Sequence, residues 1–186
     1  MAKLIYSFLA SLDGYIADDA GRFEWAAPDE EVLDFINDLE RDVGTHLYGR
    51  TMYEMMTGWE SDPAVAGQSP KSAEFAEVWQ AAEKVVFSRS LEAVSTKRTR
   101  LERGFDPDLV RTIKAEVAHD LSISGADVAA SAWHAGLIDE CHVFVAPMLV
   151  GGGKRMFPDD LRRPLELLDE RRFGNGMVFL RYAVRR

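Results

Sequence analysis

Leu4-Ile5-Tyr6-Ser7-Phe8-Leu9-Ala10 is a nearly continuous apolar run, and Asp13-Gly14 breaks it with turn chemistry. Such a run suits a strand covered on both faces, as in sheets flanked by helices. A polar stretch, residues 18–28, separates it from the next element. Pro28 followed by Asp29, Glu30 and Glu31 opens a helix, because acids favour its positive N-terminus. Val32, Phe35, Ile36, Leu39 and Val43 form the apolar stripe of that helix, and Gly44 stops it. His46-Leu47-Tyr48 reads as a short strand, residues 52–58 as a second helix and 58–70 as a loop.

The theme repeats downstream. Residues 72–82 read as helix, 84–88 as strand, and Asp106-Pro107 starts a helix reaching residue 117 with Leu109, Val110, Ile113 and Val117 as its stripe. Residues 120–124 alternate like a strand, and 126–135 form a helix stopped at Gly136. Residues 141–150 read as a long strand whose Pro147 points to an edge position or a bulge. Residues 165–168 and 177–184 read as antiparallel strands joined through Gly174-Asn175-Gly176. Alternation of this kind predicts an α/β fold: three layers, a mostly parallel twisted sheet with helices on both faces and a C-terminal antiparallel hairpin. The whole chain, 1–186, reads as one domain.

Composition narrows the function classes. The net charge of −9 argues against a nucleic-acid partner, which selects a basic field. The small basic cluster Lys97, Arg98, Arg100 and Arg103 reads as a solvated loop. Cys141 is the single cysteine, so no intrachain disulfide forms and a Cys-rich zinc site is excluded. A reducing compartment fits best. No apolar run reaches the roughly 18 residues of a membrane helix. Lys3 with residues 4–12 imitates a signal peptide but has one positive charge and no A-x-A site, so a buried first strand and a cytoplasmic protein are expected.

Open α/β sheets bind ligands at the carboxyl ends of their strands. Gly49-Arg50-Thr51 follows a strand and opens a helix. A close-approaching glycine, a bidentate guanidinium and a hydroxyl suit phosphate there, and a plain glycine turn with a surface arginine is the alternative. Ser88-Arg89-Ser90 offers two hydroxyls and a guanidinium at the next strand end, or a solvated turn. Gly125-Ala126-Asp127 is a strand-to-helix turn with several exposed N–H groups. The three turns together point to an anionic ligand with more than one phosphate. No G-x-G-x-x-G follows a strand, and no G-x-x-x-x-G-K-[ST] occurs. Gly151-Gly152-Gly153-Lys154 reads as a structural turn, with a ligand contact as the alternative. His46, His119, His134 and His142 have no metal-ligand spacing, and no metal is expected.

Ser11-Leu12-Asp13-Gly14-Tyr15-Ile16-Ala17, Leu47-Tyr48-Gly49-Arg50-Thr51-Met52-Tyr53-Glu54 and Lys84-Val85-Val86-Phe87-Ser88-Arg89 resemble the dihydrofolate-reductase-like superfamily. Gly136-Leu137-Ile138-Asp139-Glu140, Ala146-Pro147-Met148-Leu149-Val150-Gly151-Gly152-Gly153 and Met156-Phe157 narrow the match. They resemble the reductase domain that forms the C-terminal half of the bifunctional riboflavin-biosynthesis deaminase–reductases. The resemblance implies NADPH as cofactor. It places Gly49, Arg50 and Thr51 at a cofactor-phosphate turn, and Ser88 and Arg89 at the adenosine 2′-phosphate. It places Gly125, Ala126 and Asp127 at the pyrophosphate turn, and Ile16 and Ala17 beside the nicotinamide. Ala126 departs from the family's second glycine, and the deaminase zinc signature is missing from this sequence.

The resemblance implies hydride transfer to a small heterocyclic substrate, either a pyrimidine ribose phosphate or a pterin. For a pyrimidine ribose phosphate, Lys154 and Arg155 are the candidate contacts. For a pterin, Glu31 is the candidate acid and Phe35, one helical turn on, would share its strip. A homodimer is implied, pairing near Pro147 or through the C-terminal hairpin. Two other classes stay open: a non-catalytic NADPH-binding protein, which would bind the cofactor without oxidising it, and a structural subunit, which would bind none.

Overall fold

The computed structural model describes residues 2–185. β1 (Leu4–Ser11) sends Leu4, Tyr6, Phe8 and Ala10 into one apolar cluster and Leu9 into another across the sheet, as the pleat of a doubly covered strand requires. After it come β2 (Tyr15–Ala17), a 3-10 turn (Glu24–Ala26), α1 (Glu30–Glu40), β3 (Val43–Gly49) and α2 (Arg50–Met56). Next are α3 (Gly58–Ser61), α4 (Pro63–Ala66), α5 (Pro70–Ala81), β4 (Glu83–Phe87), β5 (Thr99–Glu102) and α6 (Pro107–Glu116). The chain finishes with β6 (Asp120–Ser124), α7 (Ala126–His134), β7 (Glu140–Ala146), β8 (Lys154–Arg155), β9 (Leu165–Arg172) and β10 (Val178–Val184). The main sheet has the order β5-β4-β3-β6-β1-β7-β10-β9. Its first six strands are parallel, and β10 runs antiparallel to β7 and to β9. β2 and β8 form a separate ladder.

Both faces are covered. α6 and α7 bring Val110, Ile113, Val128, Ala132 and Trp133 to one. On the other, α1 lays Val32, Phe35, Ile36 and Leu39 on Phe144, Phe173 and Phe179, while Tyr53 of α2 and Trp79 of α5 pack on Tyr48 and Val86. Local chemistry starts these helices: Asp29 accepts the Val32 N–H at 3.0 Å, and Pro70 and Pro107 follow the capping residues Ser69 and Asp106.

Four expectations are corrected. α1 ends at Glu40, not Gly44, because Val43 starts β3 and pairs with Asp120. Gly44 is needed for close approach: a Cβ there would lie 2.7 Å from the His119 Cβ. The basic stretch near Arg100 contains edge strand β5, whose exposed positions tolerate charge. β7 lies inside the sheet between β1 and β10, and it stops at Ala146 because Pro147 has no N–H to give the ladder. The 58–70 loop contains two short helical turns, α3 and α4. No described helix is long and apolar enough to cross a membrane.

At the opposite end from the strand termini discussed below, the buried Glu140 carboxylate meets Lys3 at 2.7 Å, Arg181 at 2.8 Å and His142 at 3.3 Å. Burial pushes its pKa up, but the hydrogen bonds from Arg181, Lys3 and His142 outweigh it and hold the group at about 2. An acid whose pKa falls on folding stabilises the fold above its unfolded value, and the gain is lost as pH drops through the folded one. Glu140→Gln should cost about 2 kcal/mol at neutral pH. In urea melts, the difference from the wild type should fade as pH drops from 4.5 towards 2.

Candidate functional site

The sheet has a step at its carboxyl edge. The last β1–β6 pair is Tyr6–Ile123, yet β1 continues to Ser11 beside Ala146 of β7. β3 and β4 stop low as well, with Gly49 beside Phe87. The ends of β4, β3 and β6 therefore form a floor beside the overhanging wall of β1, the crevice position of open α/β sheets.

Gly49 caps α2 and Gly125 caps α7, so two helix N-termini open onto this floor. Gly125 has φ +109°, and a Cβ on it would sit 3.6 Å from the Gly49 nitrogen. The two turns are thus in near contact, with backbone approachable from outside. Ala126 takes the first helical position, where a Cβ is ordinary, since the positive φ falls on Gly125. Arg50 is held in place: its Nε donates to Glu54 Oε1 at 2.8 Å and its Nη1 to Ser90 Oγ at 3.0 Å. Thr51 is exposed beside it. Ser88, almost fully buried, shapes the neighbouring turn by accepting the N–H groups of Ser90 at 3.3 Å and Leu91 at 3.0 Å. Arg89 projects from that turn, exposed, and its guanidinium has no partner among the described residues.

The overhanging wall carries the second group. Ile16 and Ala17 lie in β2, whose ladder with β8 sets Ala17 opposite Lys154 and Tyr15 opposite Arg155. Lys154 donates to Asp127 Oδ2 at 3.0 Å, linking this wall to the start of α7. Arg155 pairs with Asp159 at 3.1 Å and covers the Tyr15 ring at 5.5 Å. A depression of about 350 Å³ opens between Ala126, Asp127, Gly153, Lys154 and Phe157.

Glu31 and Phe35 stand apart, at the β9–β10 hairpin. Glu31 accepts the Gly174 N–H at 2.9 Å and pairs with Arg171 at 3.4 Å. Phe35 packs edge-on against Phe144, Phe173 and Phe179, with the Arg171 guanidinium 4.9 Å from its ring. The structure thus brings the phosphate-suited turns together, sets the β2–β8 wall beside them, and places Glu31 and Phe35 in the hairpin's support. Sequence reasoning named Ser90 in its turn but missed its bond to Arg50, forty positions away. It also missed the partners of Asp13, which accepts the Val150 and Gly151 N–H groups.

The family model of the RibD C-terminal domain matches residues 2–179. The chain belongs to that family. A RibD C-terminal domain therefore carries this crevice, and the resemblance read from the motifs holds at the level of the family. An uncharacterised protein of Bacillus subtilis strain 168, YyaP, is 25% identical over 97% of this chain and 94% of its own. A solved protein from Shewanella sp. PV-4, named a putative riboflavin biosynthesis protein, is 22% identical, with a TM-score of 0.77 over the full length of both chains. A pyrimidine reductase-like protein from Corynebacterium diphtheriae gives 0.66 at 14% identity, over 100% of this chain and 92% of its own. Acinetobacter baumannii RibD gives 0.69 at 18% identity, and this chain spans 59% of its length. These structures share the fold of this chain.

Proposed function

We propose that this RibD C-terminal domain is an NADPH-dependent reductase acting on a pyrimidine ribose phosphate of the 5-amino-6-(5-phosphoribosylamino)uracil type. The observation that carries the reading is the convergence of the Gly49 and Gly125 turns beside Arg89, a cation without a partner among the described residues. The residues fit the cofactor: N–H groups of two helix starts face one floor, and two arginines stand at its rim. NADPH, when bound, supplies the hydride. Gly125 and Gly49 would let the pyrophosphate approach backbone. Arg50, braced by Glu54 and Ser90, would neutralise phosphate without having to be ordered first. The Ser88 hydroxyl and Arg89 would hold the 2′-phosphate. Ile16 and Ala17 would present an apolar edge to the nicotinamide and exclude water from it.

Lys154 and Arg155 would meet the substrate phosphate by leaving Asp127 and Asp159. Unchanged turnover of the phosphorylated pyrimidine after reversing both charges would remove that assignment. Glu31 keeps both oxygens on the hairpin, so water serves better than Glu31 as proton donor in this reading. Full dihydrofolate turnover by Glu31→Gln would exclude it as the acid of a pterin reductase. Leu165, Leu167 and Leu168 are exposed on edge strand β9, which supports a homodimer through the hairpin. A mass of 20.8 kDa by light scattering would contradict it.

The deciding experiment is a titration of the purified protein with NADPH and with NADH, read by tryptophan fluorescence. Saturable NADPH binding, at least about tenfold tighter than NADH, is expected. No signal at saturating NADPH would end the reductase reading.

A further inference from the structure

Ile16 and Ala17 belong to a short ladder outside the main sheet, and something other than sheet pairing must fix them. Asp13 does so from a distance in sequence. Its carboxylate accepts the Gly151 N–H at 2.8 Å and the Val150 N–H at 3.2 Å. A hydrogen bond from the Ser11 side chain is the largest influence holding its pKa below the usual carboxylate range, with these backbone N–H groups assisting. Ser11, itself buried, accepts the Tyr15 N–H at 3.0 Å. The chain of contacts therefore runs from the first residue of β2, through Ser11 and Asp13, into the glycine turn after β7. Backbone bonds flank it on both sides: Leu12 N–H to Met148 O at 2.8 Å and Met156 N–H to Gly14 O at 3.0 Å. Tyr6 adds its hydroxyl to Met156 O at 2.7 Å.

We propose that Asp13 is a positioning residue that locks the loop after β1 and the 150–153 glycine turn into one rigid wall, so that Ile16 and Ala17 meet the nicotinamide as a fixed surface. The inference rests on the reductase reading for the ring being met. The joint between the loops stands on the geometry alone. A plain turn-capping role for Asp13 would affect Val150 and Gly151 and leave β2 untouched. A locking role must affect both loops together.

Hydrogen–deuterium exchange of the apo-protein reads the joint, and two ligands read its consequence. NADPH carries the nicotinamide; 2′-phospho-ADP-ribose keeps the phosphates and lacks it. In Asp13→Ala, exchange at Val150 and Gly151 and across Tyr15–Ala17 should rise together, by about tenfold or more. NADPH should weaken by about tenfold, with 2′-phospho-ADP-ribose unchanged within about twofold. Asp13→Asn keeps one acceptor oxygen for the Gly151 N–H and should recover most of both effects. It also serves as the test variant if Asp13→Ala does not fold, with a smaller rise at both loops expected. Faster exchange confined to 150–151, no change at either loop, or equal weakening of both ligands would overturn the proposal. If the wild type binds neither ligand, the reductase reading fails, and the exchange measurement still decides the joint by itself.

Discussion

Gly153→Ala should destabilise the protein by about 3 kcal/mol and release the β2–β8 wall. Gly153 has φ +124°, a region L side chains rarely adopt, and a Cβ there would lie 2.1 Å from the Ala17 carbonyl oxygen. It would also lie 2.6 Å and 2.7 Å from the carbonyl carbon and Cα of Asp18. Every one of these atoms is backbone, so no side chain can rotate away, and the Ala17–Lys154 pairing must open instead. Gly152→Ala is the matched control. The nearest atoms to its Cβ would be those of the Asp19 carboxylate, the closest at 2.8 Å, and Asp19 can turn outward. The control should cost less than about 1 kcal/mol. For a chain of this length the Gly153 variant should melt about 6–12 °C lower, read by circular dichroism. Equal melting of the two variants would show that the close approach at Gly153 is not maintained in solution.

What sequence reading reached and what it missed divide along contact range. Leu4 to Ala10 declares a doubly buried strand, because each residue's environment follows from its neighbours and the pleat. Gly49-Arg50-Thr51 and Gly125-Ala126-Asp127 are legible for the same reason: a strand end, a glycine and a helix start are contiguous. Gly44 shows the limit. As a helix stop it satisfies every local rule, but its real constraint is His119, which no local pattern reveals. β5 was illegible because only Leu101 of Thr99-Arg100-Leu101-Glu102 is strongly apolar, and an edge strand needs little more. The site divides likewise. The identity of Asp13 as a turn residue is local, whereas its grip on Val150 and Gly151 spans more than 130 positions and exists only once β1 and β7 are paired. Glu31 shows the same limit: its place beside the stripe is a local reading, whereas the Gly174 N–H that its carboxylate accepts lies 143 positions along the chain.

Arg89→Ala should weaken NADPH by about 100-fold and leave NADH within about twofold. The size follows from what Arg89 is free to do. Arg50 already bonds Glu54 and Ser90, so its contribution to an incoming phosphate is reduced by the partners it keeps. Arg89 has no partner among the described residues to give up, and it projects from a turn that Ser88 holds in shape through Ser90 and Leu91. A charge-assisted, bidentate contact from such a group is worth about 1.5–3 kcal/mol. NADH lacks the 2′-phosphate and should not register the loss. Salt separates this from general electrostatics: raising ionic strength should weaken NADPH more than NADH in the wild type and about equally in Arg89→Ala, since screening acts on the extra phosphate through Arg89. Ser88→Ala should also weaken NADPH, but it releases the Ser90 and Leu91 N–H groups as well and so should lower the melting temperature, which Arg89→Ala, a change at an exposed side chain, should not. Equal weakening of both nucleotides by Arg89→Ala would move the 2′-phosphate away from this turn and leave Arg50 as the guanidinium to test next.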